Sequence, residues 1–227
     1  LLFFTNQGRV YRAKVHELPD AGRDARGQHV ANLLAFKPNE NIASVISIAD
    51  YSSLPHLVIA TKGGIIKKSP LVEYDSPRTG GLIAITLKDN DEVVAASAIT
   101  SKDEILLISK KGMSLRFTAD DESLRPMGRS ATGVIGMKFR SGDELLTMAS
   151  VGKSDTTNFV LTATDGGFGK RTNLDEYRTQ GRGGIGVKAA KVDEDSRGGL
   201  VGALIVNEKD EILVITSGGV VMRTPVK

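Results

Sequence analysis

Glycines and cations carry most of the chemical potential of this chain. "QGRGGIG", Gln180 to Gly186, sets four glycines around Arg182. Taken from Gly181 as Gly-x-Gly-x-x-Gly, it matches the pattern that cradles the phosphates of a dinucleotide. Taken as a flexible basic loop, its arginine and bare amides suit the phosphates of a nucleic acid equally well. The dinucleotide fingerprint needs a buried strand before it, a helix opening inside it and an acidic residue about 20 positions on. "NLDEYRT" before it is no buried strand, and Glu208 alone is a weak match for the acid. "DGGFGKRT" lacks the spacing of a phosphate-binding Walker loop.

Other chemistries find less support. A metal site needs three or four converging ligands, whereas His16, His29 and His56 are scattered and cysteine is absent. The missing cysteines also remove disulfides and thiol nucleophiles, which suits a reducing cytoplasm. The pairs Asp91-Glu92, Asp103-Glu104, Asp143-Glu144 and Asp210-Glu211 stand just before apolar runs. Adjacent residues of a strand point to opposite faces, so turn and strand-start chemistry explains these pairs better than acid–base catalysis.

The elements that position these residues are repeats. "FTNQGRVYR", "ATKGGIIKK", "ISKKGMSLR", "ATDGGFGKR" and "ITSGGVVMR" each place a glycine three residues after a Thr or Ser. Four residues after that glycine comes a cation: Arg12, Lys68, Arg116, Arg171 or Arg223. The intervals between successive glycines are 56, 48, 55 and 52 residues. A second element recurs between them, with a glycine six residues before an apolar residue: Gly27/Leu33, Gly81/Leu87, Gly133/Phe139 and Gly186/Val192. Arg23, Arg78, Arg129 and Arg182 precede these glycines by three or four. "QGRGGIG" is therefore one copy of a recurring loop.

Within a unit, "HLVIATKGGIIKKS" predicts a hairpin, "LIAITL" an alternating strand and "EVVAASAIT" a further strand. "LVEYDS" and "TADDESL" predict single helical turns. Four strands in about 50 residues are the proportions of a propeller blade, and such blades need neighbours to cover both faces. The chain of 227 residues reads as one all-β domain with units near 1–55, 56–102, 103–156, 157–210 and a partial 211–227. Leu1 is not an initiator, and the chain reads as opening partway through a unit. No apolar run is long enough to span a membrane.

Net charge is only +3 with a pI near 9.0, so the placement of charge matters more than its sum. Single lysines on outer strands commonly block edge-to-edge association. Here the cations recur at one register and often double, as Arg12 with Lys14, Lys67 with Lys68, and Lys170 with Arg171. Equivalent positions in a circular array trace a ring, which suits a curved polyanion. With 5% aromatic residues and no tryptophan, stacking on single strands is disfavoured.

"GRVYRAKVHELP", "ARGQHVANLL", "LRPMGRSATGVIGMKF", "GGFGKRTNLDEY" and "GALIVNEKDEILVITSGG" closely resemble the C-terminal domain of the bacterial DNA gyrase A subunit, repeat by repeat over the whole chain. The resemblance implies a β-pinwheel: a propeller-like disc of four-stranded blades that exchange strands, with a basic perimeter that wraps duplex DNA. It implies a role in negative supercoiling by an A2B2 holoenzyme with the gyrase B subunit, whose ATP and magnesium are bound in other domains. This domain itself would need no cofactor and catalyse nothing, since the family's catalytic tyrosine lies elsewhere and Tyr11, Tyr51, Tyr74 and Tyr177 match no such site. The setting implied is the bacterial cytoplasm, beside the chromosome.

The family's box reads Gln-Arg-Arg-Gly-Gly-Lys-Gly. Gln180, Arg182, Gly183, Gly184 and Gly186 match it, while Gly181 and Ile185 stand where two of its cations would be. The resemblance thus implies a degenerate box on a later blade, the principal one lying upstream. The expected DNA contacts are these five residues with Arg12, Lys14, Arg23, Arg26, Lys67, Lys68, Arg78, Arg116, Arg129, Lys170, Arg171 and Arg223. The topoisomerase IV C subunit, with degraded boxes and fewer blades, is the near alternative. A propeller-type protein-interaction module is the more distant one.

Overall fold

The Thr/Ser-x-x-Gly repeat folds into a hairpin turn in all five copies. Each glycine N–H donates to the Thr or Ser carbonyl three residues back, at 2.9–3.0 Å. The next residue's N–H donates to the Thr or Ser hydroxyl at 3.1–3.3 Å. The glycines adopt φ of +77° to +81°, the left-handed region that a side chain disfavours. The repeat is thus local turn chemistry written five times.

The computed structural model describes residues 1–22, 25–78, 80–152, 158–192 and 194–226. The first unit supplies β1 (Leu2–Thr5), β2 (Arg9–Arg12) and β3 (Ile42–Ile46). The second supplies β4 (His56–Thr61), β5 (Ile65–Pro70), β6 (Leu82–Ile83) and β7 (Val93–Ile99). The third supplies β8 (Glu104–Ser109), β9 (Met113–Thr118), β10 (Val134–Ile135) and β11 (Leu145–Val151). The fourth supplies β12 (Phe159–Thr164), β13 (Gly169–Asn173), β14 (Val187–Lys188), the short helix α1 (Glu194–Arg197) and β15 (Leu200–Val206). A last hairpin joins β16 (Glu211–Ile215) to β17 (Val221–Pro225).

The sheets do not follow the units. Their orders are β3-β1-β2-β6, β10-β5-β4-β7, β11-β8-β9-β14 and β13-β12-β15, all antiparallel. β6, β10 and β14 each leave their own unit and close the outer edge of the preceding blade. This is the strand exchange of a β-pinwheel. It also corrects the reading of "LIAITL" as a full strand: only Leu82 and Ile83 pair, with Val10 and Arg9. The chain then bends, because the N–H groups of Ala84 and Ile85 both turn to the carbonyl of Gly8. Leu71–Tyr74 forms the single 3-10 turn expected of "LVEYDS".

The cores lie between blades. β4 is buried on both faces, and its alternate residues serve two different cores. Leu57 and Ile59 pack with Leu2, Phe4, Leu71 and Tyr74 of the first joint. Val58 and Ala60 pack with Ile105, Leu107, Leu115 and Phe117 of the second. Leu106 and Ile108 turn the other way, onto Val160, Leu174 and Leu200. A period of two in a strand makes this partition automatic. It also explains why these strands read as continuous apolar runs. At the edge opposite the exchanged strands, β3, β7, β11 and β15 pack in succession. Small side chains permit that approach, with Ser44 donating to the Ala96 carbonyl and the Ser97 and Ser150 hydroxyls 2.9 Å apart.

Candidate nucleic-acid interface

Both recurring glycines serve the strand exchange. A Cβ on Gly8, Gly64 or Gly112 would lie 2.7, 2.4 or 2.4 Å from the carbonyl of Ile85, Met137 or Ala190, in the segment arriving from the next unit. Leu87, Phe139 and Val192, the apolar partners of the second repeat, pack on those same turns. On the arriving side, Gly133 and Gly186 lie against Ile66 and Ser114 of the receiving strand, where a Cβ would come within 2.7 and 2.0 Å of a carbonyl. The first acid of two acidic pairs also locks a turn. Asp91 accepts from the Thr61 hydroxyl and Gly63 N–H, and Asp143 from the Ser109 hydroxyl and Lys111 N–H.

The registered cations behave differently from a ring of phosphate contacts. Lys67 and Lys68 are fully buried, which corrects their assignment to the DNA surface. The Lys67 ammonium donates to the carbonyls of Ala84 and Arg129 and to the Tyr74 hydroxyl. Burial lowers its pKa to about 8 and pushes that of Tyr74 up to about 12. Lys68 donates to the Ala119 carbonyl and to Asp121, 2.7 Å away, whose carboxyl it holds below its ordinary value. Arg116, only 15% exposed, is likewise corrected. It pairs with Glu104 and donates to the carbonyls of Leu174 and Tyr177 in the next unit. For Lys68 and Arg116 the cause is that this register faces the next blade's end turn. Arg12 meets Asp75 there, and Arg171 meets the Val226 carbonyl and Glu208 while stacking on Phe159. Arg223 pairs with Glu211 of its own hairpin.

The degenerate box is a loop running into β14, with no helix opening inside it. Its backbone is already engaged. Gln180 N–H donates to Arg116 O, Gly183 N–H to Gly136 O, and Gly184 O accepts from Lys138 N–H. The side-chain amide nitrogen of Gln180 is buried without a partner. Arg182 is exposed, yet its Nε donates to Ser123 O and its Nη1 to Ile135 O. Arg129, the same residue one unit earlier, donates to Ile83 O.

Other sequence-predicted cations stand at the surface. Arg12, Lys14 and Arg78 converge on one groove with Glu17, Ser76 and Pro77, between the first two units. Arg26 is exposed, and Arg23 lies outside the described residues. Lys170 donates to Ala189 O and lines a second groove with Lys191, Arg197 and the half-exposed Phe168. Among the exposed cations that escaped the sequence reading, Lys88, Lys138, Arg140 and Lys191 follow the exchanged strands. They fall five or seven residues after the loop glycines Gly81, Gly133 and Gly186, so aligning the tails of the second repeat would have found them. Lys188, on the exposed face of β14, joins them. Among the described residues, no group of three or more His, Cys, Asp or Glu could hold a metal ion.

Antiparallel sheets in series, the first three each closed by a strand from the next unit with cations beside that strand, define a pinwheel class of domain. The chain belongs to the family described as DNA gyrase C-terminal domain, beta-propeller, which matches residues 1–49, 55–100, 103–151, 158–207 and 210–227. It is 63% identical to the DNA gyrase A subunit of Streptomyces coelicolor over 231 residues, covering all of this chain and 26% of that relative. The chain thus spans about a quarter of the length of such relatives. Among solved structures it is similar to the C-terminal domain of DNA topoisomerase IV, with a TM-score of 0.86 at 27% identity over 99% of this chain and 69% of that one. A DNA gyrase A C-terminal domain matches with a TM-score of 0.82, also at 27% identity, over 99% and 71%.

Proposed function

We propose that this domain binds duplex DNA without sequence preference and wraps it along the perimeter formed by the exchanged strands. The observation that carries the reading is the registration of cations beside those strands. Arg78 and Lys88 flank β6, Arg129, Lys138 and Arg140 flank β10, and Arg182, Lys188 and Lys191 accompany β14. Phosphate contacts of this kind position a duplex and carry no sequence information. Bending DNA around a small disc costs on the order of several kcal/mol, so the contacts must be spread along the path. In the holoenzyme, an A2B2 assembly with the B subunit, the wrap presents a DNA segment for strand passage. ATP and magnesium act in other domains, and the result is negative supercoiling of the bacterial chromosome in the cytoplasm.

Relaxing a plasmid with a type I topoisomerase in the presence of the chain tests this. A shift in linking number is expected, its sign giving the handedness of the wrap. Binding with no shift would instead favour the second reading, DNA binding without strong wrapping. The fit to the topoisomerase IV domain motivates that reading.

A further inference from the structure

We propose that Arg129 and Arg182 are positioning residues of the perimeter, each tying the exchanged strand of one unit to the loop of the next and so fixing the path offered to DNA. The inference rests on the wrapping reading above. Ile83 lies in β6, on the rim of the first blade, and its carbonyl accepts from Arg129 in the loop before β10. Ile135 lies in β10, on the rim of the second blade, and its carbonyl accepts from Arg182 in the loop before β14, at 2.6 Å. The bonds to the rim carbonyl are equivalent, one unit apart.

Backbone bonds run beside both clamps. Lys138 N–H donates to Gly184 O at 2.9 Å and Gly183 N–H to Gly136 O at 2.7 Å. One unit earlier, Thr86 N–H donates to Ala131 O at 3.4 Å and the Thr86 hydroxyl to Ser130 O at 2.6 Å. At the first joint an arginine arrives from the other side, Arg9 donating to the carbonyls of Gly80 and Gly81. Arg182 also reaches Ser123 O, so its fork spans the end of the β9 blade and the rim of the blade before it. Lys67 bonds the Arg129 carbonyl, anchoring that loop from inside.

A phosphate anchor and a clamp respond differently to lysine. An anchor works through charge, which lysine keeps. The Arg182 clamp uses two guanidinium nitrogens at once, Nε on Ser123 O and Nη1 on Ile135 O, which a single lysine ammonium cannot reproduce. At Arg129, lysine loses the directed Nη1 bond to Ile83 O. The test compares the chain with R129K/R182K and R129A/R182A, measuring duplex affinity against salt and the linking-number change per bound chain. The lysine variant keeps both charges, so it is expected to lose less affinity than the alanine variant. Its linking-number change per bound chain should fall by more than about half, because the rim path is no longer held. Wild-type wrapping by the lysine variant would overturn the proposal. So would a salt slope that drops by about 1 per alanine and is fully restored by lysine, with wrapping.

Amide exchange on single R182K provides a readout without DNA and without the double variant. The clamp requires the N–H groups of Gly183 and Lys138 to exchange at least about tenfold faster than in wild type, with the global unfolding midpoint held. Unchanged protection of those two amides would refute the clamp. If the wild-type chain shifts no linking number, the wrapping reading fails by itself, and the amides alone judge the clamp.

Discussion

A lysine doublet that reads as surface in a sequence can be core in the fold. Lys67 and Lys68 read as an exposed basic doublet, yet both side chains are fully buried. Lys67 donates to two carbonyls and a phenol, and burial lowers its pKa from 10.5 to about 8 against the opposing pull of Glu73. Between those values the unfolded chain holds the proton and the folded one does not, so stability rises with pH across the window. Tyr74 has the opposite sign. Its pKa is raised to about 12, so its contribution is lost only as pH climbs beyond its ordinary value near 10. The clean window is therefore pH 8 to 10. Across it, the wild-type chain should gain about 2 kcal/mol over Lys67→Met in urea unfolding. A constant difference would mean that the three acceptors keep the ammonium at its ordinary pKa. Arg116 invites a second measurement. Arg116→Ala removes the cation paired with the part-buried Glu104 and the guanidinium donors to the Leu174 and Tyr177 carbonyls. The Tyr177 N–H still serves the first carbonyl and the Thr179 hydroxyl the carboxylate, so a loss of about 2–3 kcal/mol is expected. Its salt slope on duplex DNA should stay at the wild-type value. A slope lower by about 1 would return Arg116 to the DNA-contact set.

At the scale of elements, the joint between units is a strand arriving on a turn, and its glycines set the tolerance. Gly112 and Gly167 have nearly the same backbone, at φ of +78° and +81°. A Cβ on Gly112 would lie 2.4 Å from Ala190 O, whereas one on Gly167 meets nothing within 4 Å. Gly167→Ala should then cost only the left-handed penalty, about 1–2 kcal/mol. Gly112→Ala should cost about 2 kcal/mol more, because the exchanged segment must also move. Equal urea midpoints for the two variants would show that the joint yields freely. The same contrast explains what could be read in advance. The turns were legible because Thr/Ser-x-x-Gly chemistry is closed within five residues, and the strands because β-branched runs declare themselves. Which blade receives β6 was not legible from the alternation of "LIAITL". β6 pairs with Arg9 and Val10, far away in sequence, and the exchange was expected only through family likeness. The candidate site was legible as a pattern of cations. It was not divisible into buried and exposed, because Lys68 and Arg116 face the next blade through contacts more than 50 residues apart. Local composition carries no trace of that separation.

For the whole molecule, the modest net charge of +3 matters less than which cations the fold leaves outside. Burying Lys67, Lys68 and Arg116 removes them from any DNA path and uses them to join blades. The tails after the loop glycines take their place: Lys88, Lys138, Arg140 and Lys191, with Lys188 on β14 and the loop residues Arg78, Arg129 and Arg182. If each of these eight neutralises one phosphate, the slope of log K against log salt is about −7. Affinity should then fall roughly 10⁴-fold between 50 and 200 mM salt. A slope near −1 would remove the perimeter from consideration altogether. The sharper measurement removes charge from the rim alone. Lys138, Lys188 and Lys191 are exposed, and none of their side chains lies in a core, so Lys138→Gln/Lys188→Gln/Lys191→Gln should fold as wild type. Its slope should be shallower by about 3. Because the lost contacts are phosphate contacts, the weakening should be the same on duplexes of unrelated sequence. A triple variant that binds with the wild-type slope would move the DNA path off the exchanged strands and onto another face of the disc.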